Sequence, residues 1–313
     1  MTSHIKRTDF LKFQIEILET LFSPDWFSRT KQVEHPAYRR WALCQKILTK
    51  QNGAIHWPEQ KNELLTIATM GLDASILTVM SRGDLGSLRL GSMDFGDEDV
   101  RKKIRSRVDD SGEFEDLMVE LYIGAWHHLE KHDVEYREKT GFPDFKIGMP
   151  GVDFPTLIEC KRARVISKNR MAKKIAKANE QIKNEKSTIG SVYGVIVLDV
   201  TASQIAEAPD DELPAKLNPI IGLVQSCLKG QKNRSVGAAV VAWDEYKTTG
   251  TPPENTWFGF RRRSVRVLHK NALTPVPTDL RLFDAWKVEF KMHYTPREQL
   301  ETSDRMKLIL EFE

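Results

Sequence analysis

The chain has 313 residues, of which 40% are hydrophobic and 29% charged, and its formal net charge is +3. This composition is typical of a soluble globular protein, and the length allows two domains. The three cysteines (Cys44, Cys160 and Cys227) are scattered and odd in number, which argues against a disulfide framework and a thiolate zinc site. We find no signal-peptide pattern and no stretch long enough to span a bilayer, so we expect a cytoplasmic protein without a membrane anchor.

Apolar residues recur near the helical period in three segments of the N-terminal region, at residues 9–22, 38–50 and 60–80. Prolines separate these segments, and a stretch rich in Gly, Asp and Arg follows them. We therefore predict a helical accessory domain over residues 1–100. Its helices are a candidate binding surface for a partner protein. Residues 101–313 then form one α/β domain with a C-terminal extension of its sheet.

The middle of the chain predicts a helix, three short strands, a basic helix and a buried strand, in that order. The first helix has an apolar stripe and Ser111 as a candidate N-cap, and turn residues separate the strands. The basic helix carries its own apolar stripe, and the last strand is apolar throughout. The predicted bounds are residues 111–131 and 169–186 for the helices, and 134–138, 144–149, 156–163 and 191–201 for the strands.

Charged side chains lie on two of these predicted strands. Asp144 follows Pro143, while Glu159 and Lys161 flank Cys160. Because side chains alternate along a strand, Glu159 and Lys161 share one face of the sheet and Cys160 lies on the other. Carboxylate oxygens suit Mg²⁺ or Mn²⁺, and an ammonium beside the metal can hold a water or a phosphate. The short motif is weak by itself, because Pro-Asp is common at turns and a Glu-x-Lys pair is often only an ion pair.

The motif and the order of the elements together resemble the PD-(D/E)XK nuclease superfamily, also called restriction-endonuclease-like, over residues 111–201. The resemblance implies an α-β-β-β-α-β core, with a mixed central sheet flanked by helices, and metal-dependent hydrolysis of phosphodiester bonds. It also implies that Asp144 and Glu159 bind Mg²⁺ or Mn²⁺. Lys161 would then stabilise the attacking hydroxide or the transition state.

The same resemblance implies roles for residues of the two flanking helices. In many members an acidic residue of the first helix helps to bind the metal, and Glu115 is the candidate here. Asp116 and Glu120 are alternatives, because a small error in the helical register exchanges which of them faces the sheet. Gln181 in the second helix corresponds to a glutamine that contacts the DNA backbone or orients the active site.

Basic residues are concentrated between the motif and the end of the second helix. Residues 161–186 contain ten basic and two acidic side chains, a local formal charge of +8. Such a segment attracts a phosphate backbone with a salt-dependent affinity, although a solvated lysine-rich helix face has the same composition. The candidate nucleic-acid contacts are Arg162, Arg164, Lys173, Lys174 and Lys177.

Two further patterns have structural as well as functional interpretations. A second basic cluster at residues 261–270 follows three aromatic residues, and either stacks on nucleic acid or forms an edge strand with one basic face. His128 and His132 have the spacing of metal ligands on a helix, but the sequence offers no third ligand. We therefore predict that they are surface histidines.

The resemblance thus implies a Mg²⁺-dependent DNA endonuclease of a restriction or phage-defence type, and it leaves RNA open as an alternative substrate. A homodimer is expected because double-strand cutting by this fold often needs two active sites. The alternative is a nucleic-acid-binding or regulatory protein that keeps the fold without turnover. No phosphate-binding loop, nucleophile elbow or H-E-x-x-H motif is present in the sequence.

Overall fold

The computed structural model of the protein describes residues 3–22, 24–29, 33–50, 63, 66–67, 69, 73, 106–137, 140–201, 213–251, 254–278, 280, 282, 288–293 and 307–312. Over these residues the chain forms a mixed sheet flanked by helices. The helices are α1 (Arg7–Phe22), α2 (Pro24–Phe27), α3 (Pro36–Lys50), α4 (Phe114–Leu129), α5 (Lys168–Ile189) and α6 (Leu213–Lys229). None of them is both long and apolar enough to cross a membrane.

One sheet contains the nine strands of the described residues, in the order β1-β9-β8-β7-β6-β5-β4-β3-β2. The pairs β4–β5 and β5–β6 are parallel, and all other neighbours are antiparallel. The strands are β1 (Ser3–Lys6), β2 (Asp133–Tyr136), β3 (Phe145–Gly148), β4 (Thr156–Arg162), β5 (Tyr193–Asp199), β6 (Ala238–Thr251), β7 (Glu254–Leu268), β8 (Val288–His293) and β9 (Lys307–Phe312).

The predicted order of the central elements is confirmed as α4-β2-β3-β4-α5-β5. Each predicted helix and strand of this segment is present, and its ends shift by a few residues. The start of α4 shows why: the side chain of Asp110, rather than Ser111, accepts hydrogen bonds from the backbone N–H groups of Gly112 and Glu113, at 2.8 and 2.9 Å. The carboxylate stabilises a turn there, and α4 begins only at Phe114.

Alternation along β4 separates two hydrophobic cores. Ile158 and Cys160 pack with α4 and the N-terminal helices in the first core. Leu157 packs with α5 and α6 in the second core. Because successive side chains point to opposite faces, Glu159 and Lys161 lie on the same face as Leu157, towards α5.

Helix α5 connects the parallel strands β4 and β5 and covers one face of both. Its predicted stripe is confirmed, since Met171, Ile175, Ala178 and Ile182 are all buried. Gly194 allows this close packing: a Cβ atom at that position would collide with the carbonyl oxygen of Ser235 and come within 2.9 Å of Ile182. The crossover helix is therefore held tightly against the strands that carry the charged motif.

The N-terminal helices pack directly on α4. Phe22 and His35 lie 6.0 and 5.1 Å from the ring of Phe114, measured between ring centroids. The sequence also missed β1, which precedes α1 and pairs with β9 at the far edge of the sheet. The division at residue 100 stays a prediction, because it falls in residues 74–105, outside the described part, as do most of the predicted helix at residues 60–80 and the loop that follows it.

In the downstream segment α6 is followed by a long hairpin of β6 and β7, which continues the sheet beyond β5. Strand β7 pairs with β6 on one side and, at Trp257 and Phe258, with β8 on the other. These pairs with β8 lie before the basic cluster at residues 261–270, so the edge-strand interpretation of that cluster stays a prediction.

Candidate active site

Asp144 lies immediately before β3, at the point where β3 and β4 stop pairing. The last antiparallel pair is Phe145 with Ile158. Beyond it, the Asp144 side chain takes the place of a backbone acceptor: Oδ2 accepts a hydrogen bond from the Cys160 N–H at 2.6 Å. This contact holds the Asp144 carboxylate against β4, next to the side chains of Glu159 and Lys161.

Glu159 and Lys161 meet beside this carboxylate, as the alternation along β4 predicted. The Lys161 ammonium donates to Oε1 of Glu159, whose side chain is 0% exposed. Burial, followed by repulsion from Glu159, raises the pKa of Asp144 to about 7. Burial also raises the pKa of Glu159, against the opposing effect of Lys161. Both carboxyl groups are therefore harder to ionise than exposed ones, and additional positive charge, such as a bound cation, would favour their ionised forms.

Helix α5 positions the turn that carries Asp144. The side-chain amide of Gln181 donates to the Phe142 carbonyl at 2.8 Å, and Asn184 donates to the Gly141 carbonyl at 3.0 Å. Gln181 is buried, so its side chain is placed to orient the turn rather than to meet a nucleic acid at the surface. The amide is also near enough to Glu159 to lower the pKa of that carboxyl.

Helix α4 contributes Glu120 to this cluster rather than Glu115. Burial, followed by the negative charge of Asp144, raises the pKa of Glu120 to about 8, and Glu120 in turn raises the pKa of Glu159. The carboxylate accepts two hydrogen bonds from Nη1 and Nη2 of Arg107, at 2.6 and 2.7 Å, and a third from the Tyr136 hydroxyl at 2.9 Å. The sequence reasoning missed Arg107 and Tyr136, because neither belongs to the motif.

Glu115 lies in a different environment, which corrects the expectation that it joins Asp144. Its carboxylate accepts from Arg162 and lies 3.7 Å from Arg40. Burial favours the neutral form, but Arg162 and Arg40 hold the pKa of Glu115 below its usual value. Five residues separate Glu115 from Glu120, about 140° around a helix, so the two cannot face the same site.

The surroundings of Glu115 form a second charged cluster, which we call the ionic network. It lines a cavity of about 350 Å³ between the N-terminal helices and the ends of the parallel strands. Arg262 donates to both oxygens of Asp244, and Arg40 donates to Asp73. The network consists of Arg40, Arg162 and Arg262 with Asp73, Glu115, Asp199 and Asp244.

The predicted nucleic-acid contacts fall into two groups. Arg162 is mostly buried in the ionic network, so it does not present its charge at the surface. Arg164 is half-exposed and donates to Asp116 at 3.0 Å. Lys173 and Lys177 are exposed on α5, and burial and the charge of Lys161 lower the pKa of the neighbouring Lys174. Of these residues, Lys174 lies close enough to Lys161 of the carboxylate cluster to sense its charge.

Residues of the second basic segment and the histidines at the end of α4 make contacts within the protein. Arg262 is buried and paired, and Arg266 donates to the Thr278 carbonyl at 3.0 Å. The side chains of residues 257–261 lie outside the described part. At the end of α4, Nδ1 of the buried His127 lies 2.8 Å from Nδ1 of His132, a pairing that the spacing of His128 and His132 did not indicate.

The cluster around Asp144 offers carboxylate oxygens, the ligands that a hard divalent cation prefers. Within the residues that the structure describes, no group of three or more His, Cys, Asp or Glu side chains is placed to hold a metal ion. Oε2 of Glu159, however, is buried without a hydrogen-bond partner. A buried carboxylate oxygen without a partner is costly, and a hard cation is the ligand that would satisfy it. Asp144 and Glu159 therefore fit such a cation as a pair.

Comparison with known proteins adds no identification, since neither a family model, a curated protein nor a solved structure matches the chain.

Proposed function

We propose that the protein is a metal-dependent nuclease that hydrolyses phosphodiester bonds, and that DNA is its substrate. The observation that carries this proposal is the convergence of Asp144, Glu159 and Lys161 at the opening between β3 and β4. Three features support it: the unpartnered oxygen of Glu159, the raised pKa of Asp144, and the ammonium beside both carboxylates. Their order along the chain is that of the PD-(D/E)XK nucleases.

In this proposal each residue has a distinct role. Asp144 and Glu159 hold Mg²⁺ or Mn²⁺, which when bound would lower the pKa of a water and neutralise charge on the phosphoryl oxygens. Lys161 places a positive charge where the transition state becomes more negative. Although burial opposes it, Glu159 and Asp144 keep the pKa of Lys161 above its usual value, so the side chain carries its charge at neutral pH.

The basic face next to this cluster supports an anionic polymer as the substrate. Lys173 and Lys177 are exposed on α5, and Lys174 lies near Lys161 and Arg164. A strand of nucleic acid along α5 would therefore pass beside Lys161. Affinity from such contacts falls steeply with salt concentration, which gives the proposal a second test that does not depend on cleavage.

The test is cleavage by the purified wild-type protein. Supercoiled plasmid, linear duplex DNA and single-stranded RNA are incubated with Mg²⁺, Mn²⁺ or EDTA, and the products are separated on gels. The proposal predicts nicked or linear plasmid with either metal and intact plasmid with EDTA. Cleavage that persists in EDTA, or RNA cleavage with intact DNA, would contradict the metal requirement or the substrate.

The second candidate is a nucleic-acid-binding protein that keeps this arrangement without turnover. The observation that favours it is the pairing of Glu120 with Arg107, because this pairing occupies the third carboxylate of the cluster. Salt-dependent DNA binding by a protein that cleaves neither DNA nor RNA with any metal would favour this candidate.

A further inference from the structure

Arg137 joins the backbone of Asp144 to helix α5. Its N–H donates to the carbonyl oxygen of Asp144 at 2.8 Å, one residue beyond the last pair of β2 and β3. Its guanidinium makes a separate contact, in which Nη1 donates to Oε1 of Glu185 in α5. Arg137 therefore fixes the main chain of Asp144, while the Cys160 N–H holds the Asp144 carboxylate.

The pair of Arg137 and Glu185 is largely buried. The side chains are 21% and 1% exposed, and the second oxygen of Glu185, Oε2, is buried without a hydrogen-bond partner. Such a pair contributes little net stability, because the removal of both charges from water offsets their attraction. An apolar pair of similar size would often hold the helix and the strand together equally well. The ion pair adds a fixed orientation, since a hydrogen bond between a guanidinium and a carboxylate is strong and directional.

The same face of α5 also holds the turn in front of Asp144. Gln181, Asn184 and Glu185 lie at positions i, i+3 and i+4, so their side chains leave the helix on one side. The first two donate to carbonyl groups of the turn, at 2.8 and 3.0 Å. The connection between β2 and β3 is thus attached to α5 within the turn and, through Arg137, at the position that pairs with Asp144.

We propose that the pair of Arg137 and Glu185 is a positioning device that holds the Asp144 carboxylate at β4, where the proposed cation would bind. The consequence for the cation rests on the proposed function, whereas the position of Asp144 does not. The apparent affinity for a ligand falls with the fraction of molecules in which the binding group is in place. A protein without the pair should therefore bind the cation more weakly, although both proposed metal ligands are still present.

The first measurement is Mn²⁺ binding by isothermal titration calorimetry, on the full chain without nucleic acid. The variant is the double substitution Arg137→Met with Glu185→Met, which removes both charges and keeps apolar contacts, so its stability should stay close to that of wild type. The expected result is binding roughly tenfold weaker than that of wild type, the usual size of the effect when a residue behind a metal ligand is lost.

The second measurement needs no metal. Hydrogen exchange at the Cys160 amide, followed by NMR spectroscopy relative to the amides of β5, reports whether the Asp144 carboxylate still accepts its hydrogen bond. This relative exchange should be faster in the double variant. Asn179→Ala is the matched control, because Asn179 is also buried on α5 but its Oδ1 accepts from the Val236 N–H, away from the turn. The control should lose stability and keep both wild-type values.

Wild-type Mn²⁺ affinity or unchanged relative exchange in the folded double variant would overturn the inference, because the pair would then be a structural contact only. If the double variant does not fold, Glu185→Gln keeps the shape of the side chain and weakens the contact with Arg137. It should change both quantities in the same direction, and an absence of change would again overturn the inference. If wild type binds no Mn²⁺, the proposed metal site fails, and exchange at Cys160 alone decides whether the pair positions Asp144.

Discussion

Two charged clusters lie along the same sheet, and each contains one of two neighbouring residues of β4. Lys161 points towards α5 and meets Glu159 and Asp144, while Arg162 points towards α4 and meets Glu115. Each carboxylate of the ionic network has a guanidinium or hydroxyl donor, and among the described residues none of its oxygens is buried without a hydrogen-bond partner. Each carboxylate of the cluster around Asp144 also has a donor, but Oε2 of Glu159 is buried without one.

On the basis of this difference we interpret the ionic network as structural and the cluster around Asp144 as the candidate active site. Buried charges that are paired and hydrogen-bonded hold elements together, and removing one partner leaves the other uncompensated. Burial raises the pKa of Asp73 and Asp244 in the ionic network as well, so a raised pKa does not distinguish the two clusters. A buried carboxylate oxygen without a hydrogen-bond partner does, because it lowers the stability of the protein and such groups are often retained for function. The comparison therefore predicts opposite effects for similar substitutions in the two clusters.

The largest expected effect is on cleavage. Asp144→Ala or Glu159→Ala should reduce the cleavage rate by about a thousandfold or more, because each removes a metal ligand and the charge stabilisation that depends on it. The measurement is the initial rate of plasmid nicking in Mg²⁺. Glu115→Gln is the matched control, since Glu115 belongs to the ionic network, and it should cleave at close to the wild-type rate. A rate lost in Glu115→Gln but kept in Asp144→Ala would reverse the assignment of the clusters.

The next effect is on stability. Asp244→Ala should lower the free energy of unfolding by about 3 kcal/mol, because it leaves the buried guanidinium of Arg262 without its bidentate partner. Urea unfolding followed by circular dichroism measures this change. Cleavage per folded molecule should stay close to that of wild type. A stable variant that has lost cleavage would place Asp244 in the catalytic machinery instead.

A smaller change in the free energy of unfolding, opposite in sign to that of Asp244→Ala, is expected when the charge of Asp144 is removed. Its folded-state pKa of about 7 lies above the value in an unfolded chain, so between about pH 4 and 7 the folded protein holds a proton that the unfolded chain has released. Stability therefore falls as the pH rises through this window, and the cost is fully present above it.

Asp144→Asn removes this cost while keeping an oxygen for the Cys160 N–H. In EDTA at pH 8 the variant should unfold with a free energy higher than that of wild type by ~2 kcal/mol, and the difference should vanish near pH 4. Thermal and urea unfolding at both pH values measure it. Asp244→Asn should instead lose stability at pH 8, because the buried guanidinium of Arg262 loses the negative charge of its bidentate partner. Equal losses in both variants would show that Asp144 is an ordinary buried partner.

The smallest effect is on the salt dependence of DNA binding. Lys174→Gln should weaken binding and reduce the slope of log affinity against log salt by about one, because one phosphate contact is lost. Lys183→Gln is the control, since it lies about 180° from Lys174 around α5 and pairs with Glu180. Fluorescence anisotropy with labelled duplex DNA measures both slopes. Equal slopes in the two variants would remove α5 from the binding surface.

The features that could be predicted from the sequence are those that depend on the spacing of residues within one helix or strand. The apolar stripe of α5 and the alternation along β4 follow from the helical and strand periods alone, so the meeting of Glu159 with Lys161 needed no knowledge of the rest of the chain. The place of Asp144 followed from the turn before β3. These features depend on residues that are close together in sequence.

The remaining features depend on distant packing. The face of α4 that meets the sheet is set by the N-terminal helices, whose Phe22 and His35 pack on Phe114, and this orientation decides between Glu115 and Glu120. Arg107 belongs to no recognisable pattern, and its hydrogen bonds to Glu120 join residues that lie 13 positions apart, on either side of the start of α4. Periodicity carries no information about such contacts.

The most direct test compares Lys161→Met with Arg162→Met, two substitutions at adjacent positions of one strand. Plasmid cleavage in Mg²⁺ and urea unfolding are measured on both variants. The account predicts that Lys161→Met abolishes cleavage but unfolds within about 1 kcal/mol of wild type, because Glu159 can take up a proton instead. Arg162→Met should keep cleavage per folded molecule and lose about 2 kcal/mol or more of stability. Cleavage retained by Lys161→Met, or abolished in folded Arg162→Met, would contradict the account.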